Sequence, residues 1–357
     1  MNKYVKGRIS QLQGMLADIN VDAFLVTSAV NHRYYTDFNN DDGTLLITNE
    51  KCYAFEDFRY FEEAQRSFGD VYTIFESVLN EDKLNEIIAK DNIKRIGFEG
   101  GRLSYSRHKR LSEELKAELV SFPSLLEGIR DIKDPVEIER IAIAQEITDG
   151  AFAHIIKMIT PTMTENDVAA ELEYYMRKHG AEDKSFETIA VSGQKSSIPH
   201  GVPSDTRLKK GFLTMDFGAV YEGYHSDMTR TVCIGKADDE MKKLYNTVLK
   251  AQMSALDMLR DGVVCADADK VARDIIEVDY KGCFGHSLGH GVGLEIHESP
   301  NLSAYNKKPL APGNIVTVEP GIYIAGKYGC RIEDMVLIQE GNIRNFTKSP
   351  KELIEIY

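Results

Sequence analysis

Apolar and polar positions along the chain fall into two regimes. In the first third, Ile9, Leu12, Met15 and Leu16 recur at helical spacing. Short apolar runs follow at Asp22-Ala23-Phe24-Leu25-Val26-Thr27, Thr44-Leu45-Leu46-Ile47-Thr48, Val71-Tyr72-Thr73-Ile74-Phe75 and Arg95-Ile96-Gly97-Phe98, separated by polar, helix-like stretches. This strand–helix alternation predicts an α/β layer domain. It contains no Gly-rich phosphate loop and no clustered metal ligands. Asp134-Pro135-Val136-Glu137 then combines an N-cap Asp, a Pro at the first helical position and a Glu three residues after the cap. It predicts a helix running to about Thr160-Pro161 and places a domain boundary near 123–134, giving domains 1–128 and 129–357. A second capped helix starts at Thr164, and its Val168, Leu172, Tyr175 and Met176 stripe is core. From about 186 the pattern turns strand-rich, interrupted by one long helix near 239–260.

Within that strand-rich part, Met215-Asp216-Phe217 and Ser226-Asp227-Met228 flank a hairpin. A turn over Tyr221 and Glu222 sets Asp216 opposite Asp227. Facing carboxylates repel at a Cβ separation of roughly 4.5–5.5 Å unless a cation lies between them. A second pair, Glu319 and Glu333, is symmetric about Gly326, with Pro320 marking a bulge or an edge. The two stretches suggest related halves. Between them, His286, His290 and His297 sit in a glycine-rich run, Gly285-His286-Ser287-Leu288-Gly289-His290-Gly291-Val292-Gly293 and onward to Ile296-His297-Glu298. Four carboxylates and an imidazole suit a pair of hard or borderline divalent ions, with Mn2+ preferred over Co2+, Zn2+ or Fe2+. A water bridging two such ions becomes hydroxide near neutral pH and can attack a carbonyl.

Composition narrows the class. The 357 residues carry 43 Lys and Arg against 56 Asp and Glu, a formal charge of −13, which argues against nucleic-acid or acidic-membrane partners. Neither a signal peptide nor a membrane span is expected. Five scattered cysteines without a CxxC motif suit a thiol-reduced, cytoplasmic setting.

The blocks Pro199-His200-Gly201, Met215-Asp216-Phe217-Gly218, Ser226-Asp227-Met228-Thr229-Arg230-Thr231, Gly289-His290-Gly291-Val292-Gly293, Ile296-His297-Glu298, Val318-Glu319-Pro320-Gly321 and Arg331-Ile332-Glu333-Asp334 resemble, in order and spacing, the aminopeptidase P and prolidase family of Xaa-Pro peptidases. The resemblance implies a creatinase-type N-terminal α/β domain and a C-terminal "pita-bread" α/β catalytic domain. It implies Asp216 as a chelating ligand of one metal, Asp227 and Glu333 as bridges, and His290 and Glu319 as the ligands that complete the coordination of the second ion. Glu319 would also act as general acid/base, His297 and His200 would face the substrate, and His286 and Arg331 would support the site. A homodimer is implied as well. Asp37 stands where a Gly commonly precedes Phe38, and Cys330 where a small aliphatic residue is usual. The activity stays open between aminopeptidase P and prolidase; the lack of Arg across Ser299 to Val318, which offers Lys307 and Lys308 instead, tilts toward the former. Methionine aminopeptidases lack such an N-terminal domain. A metal-free, creatinase-like hydrolase or binding module would have lost ligands that are present here.

Overall fold

The computed structural model describes residues 3–160 and 162–356 and separates into two compact units, Met1–Ile129 and Arg130–Tyr357. Pro161, the expected helix end, lies outside the described residues; the helix itself spans Pro135–Met158.

The first unit is built on a six-stranded sheet in the spatial order Tyr72–Glu76, Cys52–Glu56, Thr44–Thr48, Ala23–Val26, Arg95–Glu99, Glu118–Phe122. Only Thr44–Thr48 runs antiparallel to its neighbours. Its core is the set of apolar side chains that the short runs supply, including Leu25, Leu46, Phe55, Ile96 and Phe98, closed by Leu84, Ile87 and Ile88 from a helix over Glu81–Lys90. Two strands go beyond the expectation: Cys52–Glu56 lies in a stretch between predicted strands that reads as polar and helix-like, and Glu118–Phe122 lies just before the domain boundary. The second is an edge strand with partial burial, so its apolar signal is weak. Asp37 caps the helix Ala29–Thr36 with φ of 59°, a left-handed conformation that glycine adopts without cost and Asp tolerates.

The second unit contains two helix-pair-and-sheet halves. Its first helix begins at the expected capping box, with Asp134 accepting from Val136 and Glu137 and Glu137 reaching back to the Asp134 N–H. Pro135–Met158 and Glu165–Lys178 bury Phe152, Ile155, Val168, Leu172 and Met176 against Leu213, Met215, Phe217, Met228 and Val232 of the strands Gly211–Phe217 and Met228–Ile234. In the other half, Asp239–Met258 and Cys265–Glu277 bury Leu244, Val248, Ala268, Ala272 and Ile276 against Val316, Val318, Val336 and Ile338. The helix Cys265–Glu277 adds a second helix to a stretch whose pattern predicts one. Its N-cap is Val264, which offers no capping side chain, so the usual start signal is missing. Cys330 is fully buried in the same core, where burial pushes its thiol up to about 12. Among the described residues no helix is long and apolar enough to cross a membrane.

The first hairpin differs from expectation. Its turn falls on Glu222-Gly223, with φ of 45° and 83°, rather than on Tyr221-Glu222. Two positive φ values are what a two-residue type I′ turn requires. The ladder therefore runs Tyr221↔Tyr224, Val220↔His225, Met228↔Phe217, and Asp216 lies opposite Thr229, not Asp227. A slip of two positions preserves the face, so Asp216 and Asp227 still point to the same side as diagonal neighbours. The second hairpin has the expected register, with Gly321↔Arg331 below the interruption and Val318↔Asp334 above it, leaving Glu319 opposite Glu333 in the gap. The first hairpin is interrupted at Gly218 and Asp227, with Asp216 inside the ladder, and the second at Glu319 and Glu333.

Candidate metal centre and its cavity

All nine candidate site residues line one cavity of about 440 Å3: His200, Asp216, Asp227, His286, His290, His297, Glu319, Arg331 and Glu333. Strand alternation explains the convergence. Leu213, Met215 and Phe217 turn toward the helices, which sends Thr214 and Asp216 to the opposite face beside Thr231 and Thr229. Gly218, opposite Asp227, leaves no room for a side chain, since a Cβ there would overlap the Ser226 carbonyl. Gly289, just before His290, is pressed against the Thr317 carbonyl in the same way.

The carboxylates are held from one side and left open on the other. Asp216 Oδ2 accepts from Arg331 Nη2 at 2.5 Å, and Glu333 Oε2 accepts from Thr229 Oγ1 at 2.8 Å. Glu319 Oε1 accepts from Thr317 Oγ1 at 3.2 Å. Asp216 Oδ1, Asp227 Oδ1 and Glu333 Oε1 are buried and have no hydrogen-bond partner. Leaving three carboxylate oxygens so costs several kcal/mol of lost solvation unless a cation takes them.

His290 completes the set. Its Nδ1 lies 3.0 Å from the Gly291 carbonyl, which fixes Nδ1 as the protonated nitrogen. The Nε2 lone pair then faces Asp227 Oδ2 and Glu319 Oε1, each 3.4 Å away. Asp227, His290 and Glu333 offer ligand atoms within 4.8 Å of one another. Burial, reinforced by Asp216 and Glu319, pushes the Asp227 carboxyl well up; burial with Asp227 and Glu319 does the same to Glu333. Burial also raises Glu319, against the pull of His290 and Arg331. The donor set therefore fits divalent cations, which would hold these groups ionised at neutral pH.

The supporting network contains residues that the sequence reading did not single out. Each of the three Arg331 nitrogens donates inside the protein, with Nε on Thr229 Oγ1 at 2.9 Å, Nη1 on Tyr323 OH at 2.6 Å and Nη2 on Asp216. Thr229 thus accepts from Arg331 while donating to Glu333. Two-residue alternation from Asp227 was the signal that could have found it. Tyr323 also lies 3.0 Å from His286 Nε2, while His286 Nδ1 meets the Ser287 carbonyl at 2.9 Å. Burial and then Arg331 lower the His286 imidazole to about 4, so it is neutral at physiological pH. His297 packs edge-on to His290 at a centroid distance of 4.4 Å and is likewise shifted down by burial, His290 and His200. Phe186, Ile189, Pro199 and Ile296 give the cavity an apolar wall.

Comparison with known proteins agrees with this geometry. Residues 139–340 match the model of Metallopeptidase family M24, and residues 8–132 match the Creatinase/Prolidase N-terminal domain. The chain is 36% identical to a Xaa-Pro dipeptidase of Pyrococcus furiosus over 98% of its own length and 100% of that protein's. It is 41% identical to an uncharacterized peptidase of Bacillus subtilis over 97% and 99%. Among solved structures, a Xaa-Pro dipeptidase from Bacillus anthracis superposes with a TM-score of 0.94 at 40% identity, covering 98% of this chain and 99% of that one. An X-Pro aminopeptidase from Thermotoga maritima gives 0.90 at 37%, again over 98% and 99%. The fold is the pita-bread domain preceded by a creatinase-type domain, and the chain is a peptidase belonging to metallopeptidase family M24.

Proposed function

We propose that Asp216, Asp227, His290, Glu319 and Glu333 hold two divalent cations, Mn2+ in the first instance, and that the protein hydrolyses the Xaa-Pro bond at the N-terminus of peptides. The observation that carries this reading is the convergence of three unpartnered, buried carboxylate oxygens and the His290 Nε2 lone pair on one cavity. Cations bound there would acidify a water to near neutrality and polarise the scissile carbonyl. Asp216, steadied by Arg331, would serve one ion, and Asp227 and Glu333 would be shared by both.

The Xaa-Pro bond is a tertiary amide with no N–H, so recognition through that hydrogen is closed and the departing nitrogen must receive a proton. Glu319 suits that task. Its side chain is 17% exposed against 6% for Asp227, making it the more open of the two to the cavity, so a carboxylate oxygen left free by the cations would be placed to take a proton and pass it on. His297, packed edge-on to His290, and His200 line the same cavity and would face the substrate, and the apolar side chains that share the lining fit a pyrrolidine ring.

Longer peptides are the favoured substrates. Arg331 is the one Lys or Arg among the described residues lining the cavity, and each of its nitrogens already donates to Thr229, Tyr323 or Asp216. Lys307 and Lys308 are exposed and lie outside the lining. Among the described residues lining the cavity, no Lys or Arg besides Arg331 is therefore available to hold a free dipeptide carboxylate, whereas Asn301 can hydrogen-bond a continuing peptide. A metal-free hydrolase or binding module of this fold is disfavoured, because the full donor set is present. A cytoplasmic homodimer completes the proposal, supported by the resemblance and by five unpaired thiols. Protein purified without chelator should carry about two metal ions per chain and cleave Xaa-Pro-Yaa-Zaa faster than Xaa-Pro. Absence of metal, together with no cleavage after Mn2+ addition, would overturn the reading.

A further inference from the structure

A second buried charge cluster lies outside the metal centre, against the segment that joins His290 to His297. Glu298, next to His297, has a side chain 4% exposed and accepts from two cations. Arg130 Nη2 donates to Glu298 Oε1 at 2.9 Å and to Glu295 Oε2 at 2.5 Å; Lys133 Nζ donates to Glu298 Oε2 at 3.0 Å. The Arg130 and Lys133 side chains are 2% and 1% exposed. Neither lines the substrate cavity.

The cluster immobilises backbone. Glu298 Oε1 also accepts the Glu295 N–H at 3.0 Å, closing the turn that presents Ile296 and His297 to the cavity. Gly293 packs on the same carboxylate so closely that a Cβ would sit 2.5 Å from Glu298 Oε2. Asn314 Nδ2 and the Lys133 N–H extend the attachment, bonding the Asp131 and Gly313 carbonyls at 3.0 Å each. A buried carboxylate with two buried cations is a poor stabiliser against a packed apolar alternative, because each charge must be stripped of water. Its geometric effect is definite: it ties Glu295 and Glu298, on either side of the two cavity-facing residues, to one rigid point.

Resting on the peptidase reading above, we propose that Arg130 and Lys133 are positioning residues, which act through Glu298 to fix His297 and Ile296 against the substrate without touching substrate or metal. The test compares wild type with Arg130→Lys, which keeps the charge but shortens the side chain and withdraws Nη2, the nitrogen that holds both Glu295 and Glu298, and with Glu298→Gln. For each Mn2+-loaded variant, metal content, kinetics on an Xaa-Pro-Yaa peptide and amide hydrogen exchange are measured. The expected result for Arg130→Lys is unchanged metal content, faster exchange confined to 291–299, and kcat/KM lower by roughly 10- to 100-fold with KM raised. If Glu298→Gln does not fold, Arg130→Lys carries the test alone. Exchange in 291–299 equal to wild type overturns the proposal, as does kcat/KM per folded, metal-loaded chain equal to wild type. Wild-type protein that cleaves no Xaa-Pro substrate would count against the functional reading instead, while the exchange rates would still decide whether Arg130 holds this segment.

Discussion

Asp216 and Asp227 show how one residue type takes different work from its surroundings. Asp216 has an oxygen anchored by Arg331 and another left open, whereas Asp227 is 4% exposed and wedged among carboxylates. Asp216→Asn should therefore weaken one cation site first, while Asp227→Asn should abolish both, a difference that metal titration resolves. Thr229→Val removes the hydroxyl shared by Glu333 and Arg331 and should weaken metal affinity by about 10- to 100-fold with the fold intact. His286 gives a pH signature. Its folded-state affinity for a proton, near 4, lies below the ordinary 6.5, so the unfolded chain gains protons first as pH falls. Stability attributable to neutral His286 is present above pH 6.5 and lost progressively down to about 4. The loss is on the order of 3 kcal/mol across that window. Urea unfolding of His286→Asn between pH 7 and 4.5 should show a correspondingly shallower loss than wild type.

At the scale of elements, the chain's local signals were legible where chemistry is local. Asp134-Pro135-Val136-Glu137 announces its helix because a capping box is written in four consecutive side chains. Asp134→Ala should cost about 1 kcal/mol, measurable by chemical denaturation. Signals that depend on tertiary contact were not legible. The helix at Cys265 starts without a cap and is held by packing, and the edge strand Glu118–Phe122 is fixed by its partner Arg95–Glu99. The first hairpin illustrates the middle ground: the two acidic residues were correctly placed on one face, but the turn chemistry of Glu222-Gly223 moved the register by two. The nine cavity residues were readable because their spacing is carried by motifs; Tyr323 and Thr229 were not, since their roles arise from contacts across strands. Gly218→Ala tests how tightly the hairpin geometry is set. The added methyl collides with the Ser226 carbonyl, and a loss of about 1–3 kcal/mol is expected, with reduced metal content from displacement of Asp227.

At the scale of the molecule, the second unit joins two similar halves, each a helix pair on strands with its own apolar core. The first half supplies Asp216 and Asp227, the second His290, Glu319 and Glu333, so neither can assemble the cage alone. Arg230 fastens them together: it is 1% exposed and bonds the Glu333 carbonyl, Asp334 Oδ1 at 2.8 Å and the Ser349 and Pro350 carbonyls. Cations spanning the two halves should stabilise the chain as a whole, by about 2.7 kcal/mol when free metal exceeds its dissociation constant a hundredfold. The most direct measurement is calorimetric titration of chelator-stripped protein with Mn2+, alongside turnover of an Xaa-Pro-Yaa peptide. Two ions per chain, activity rising with metal occupancy, and loss of both ions in Asp227→Asn are predicted. One ion or none in wild type, or undiminished binding in Asp227→Asn, would contradict a shared dinuclear site.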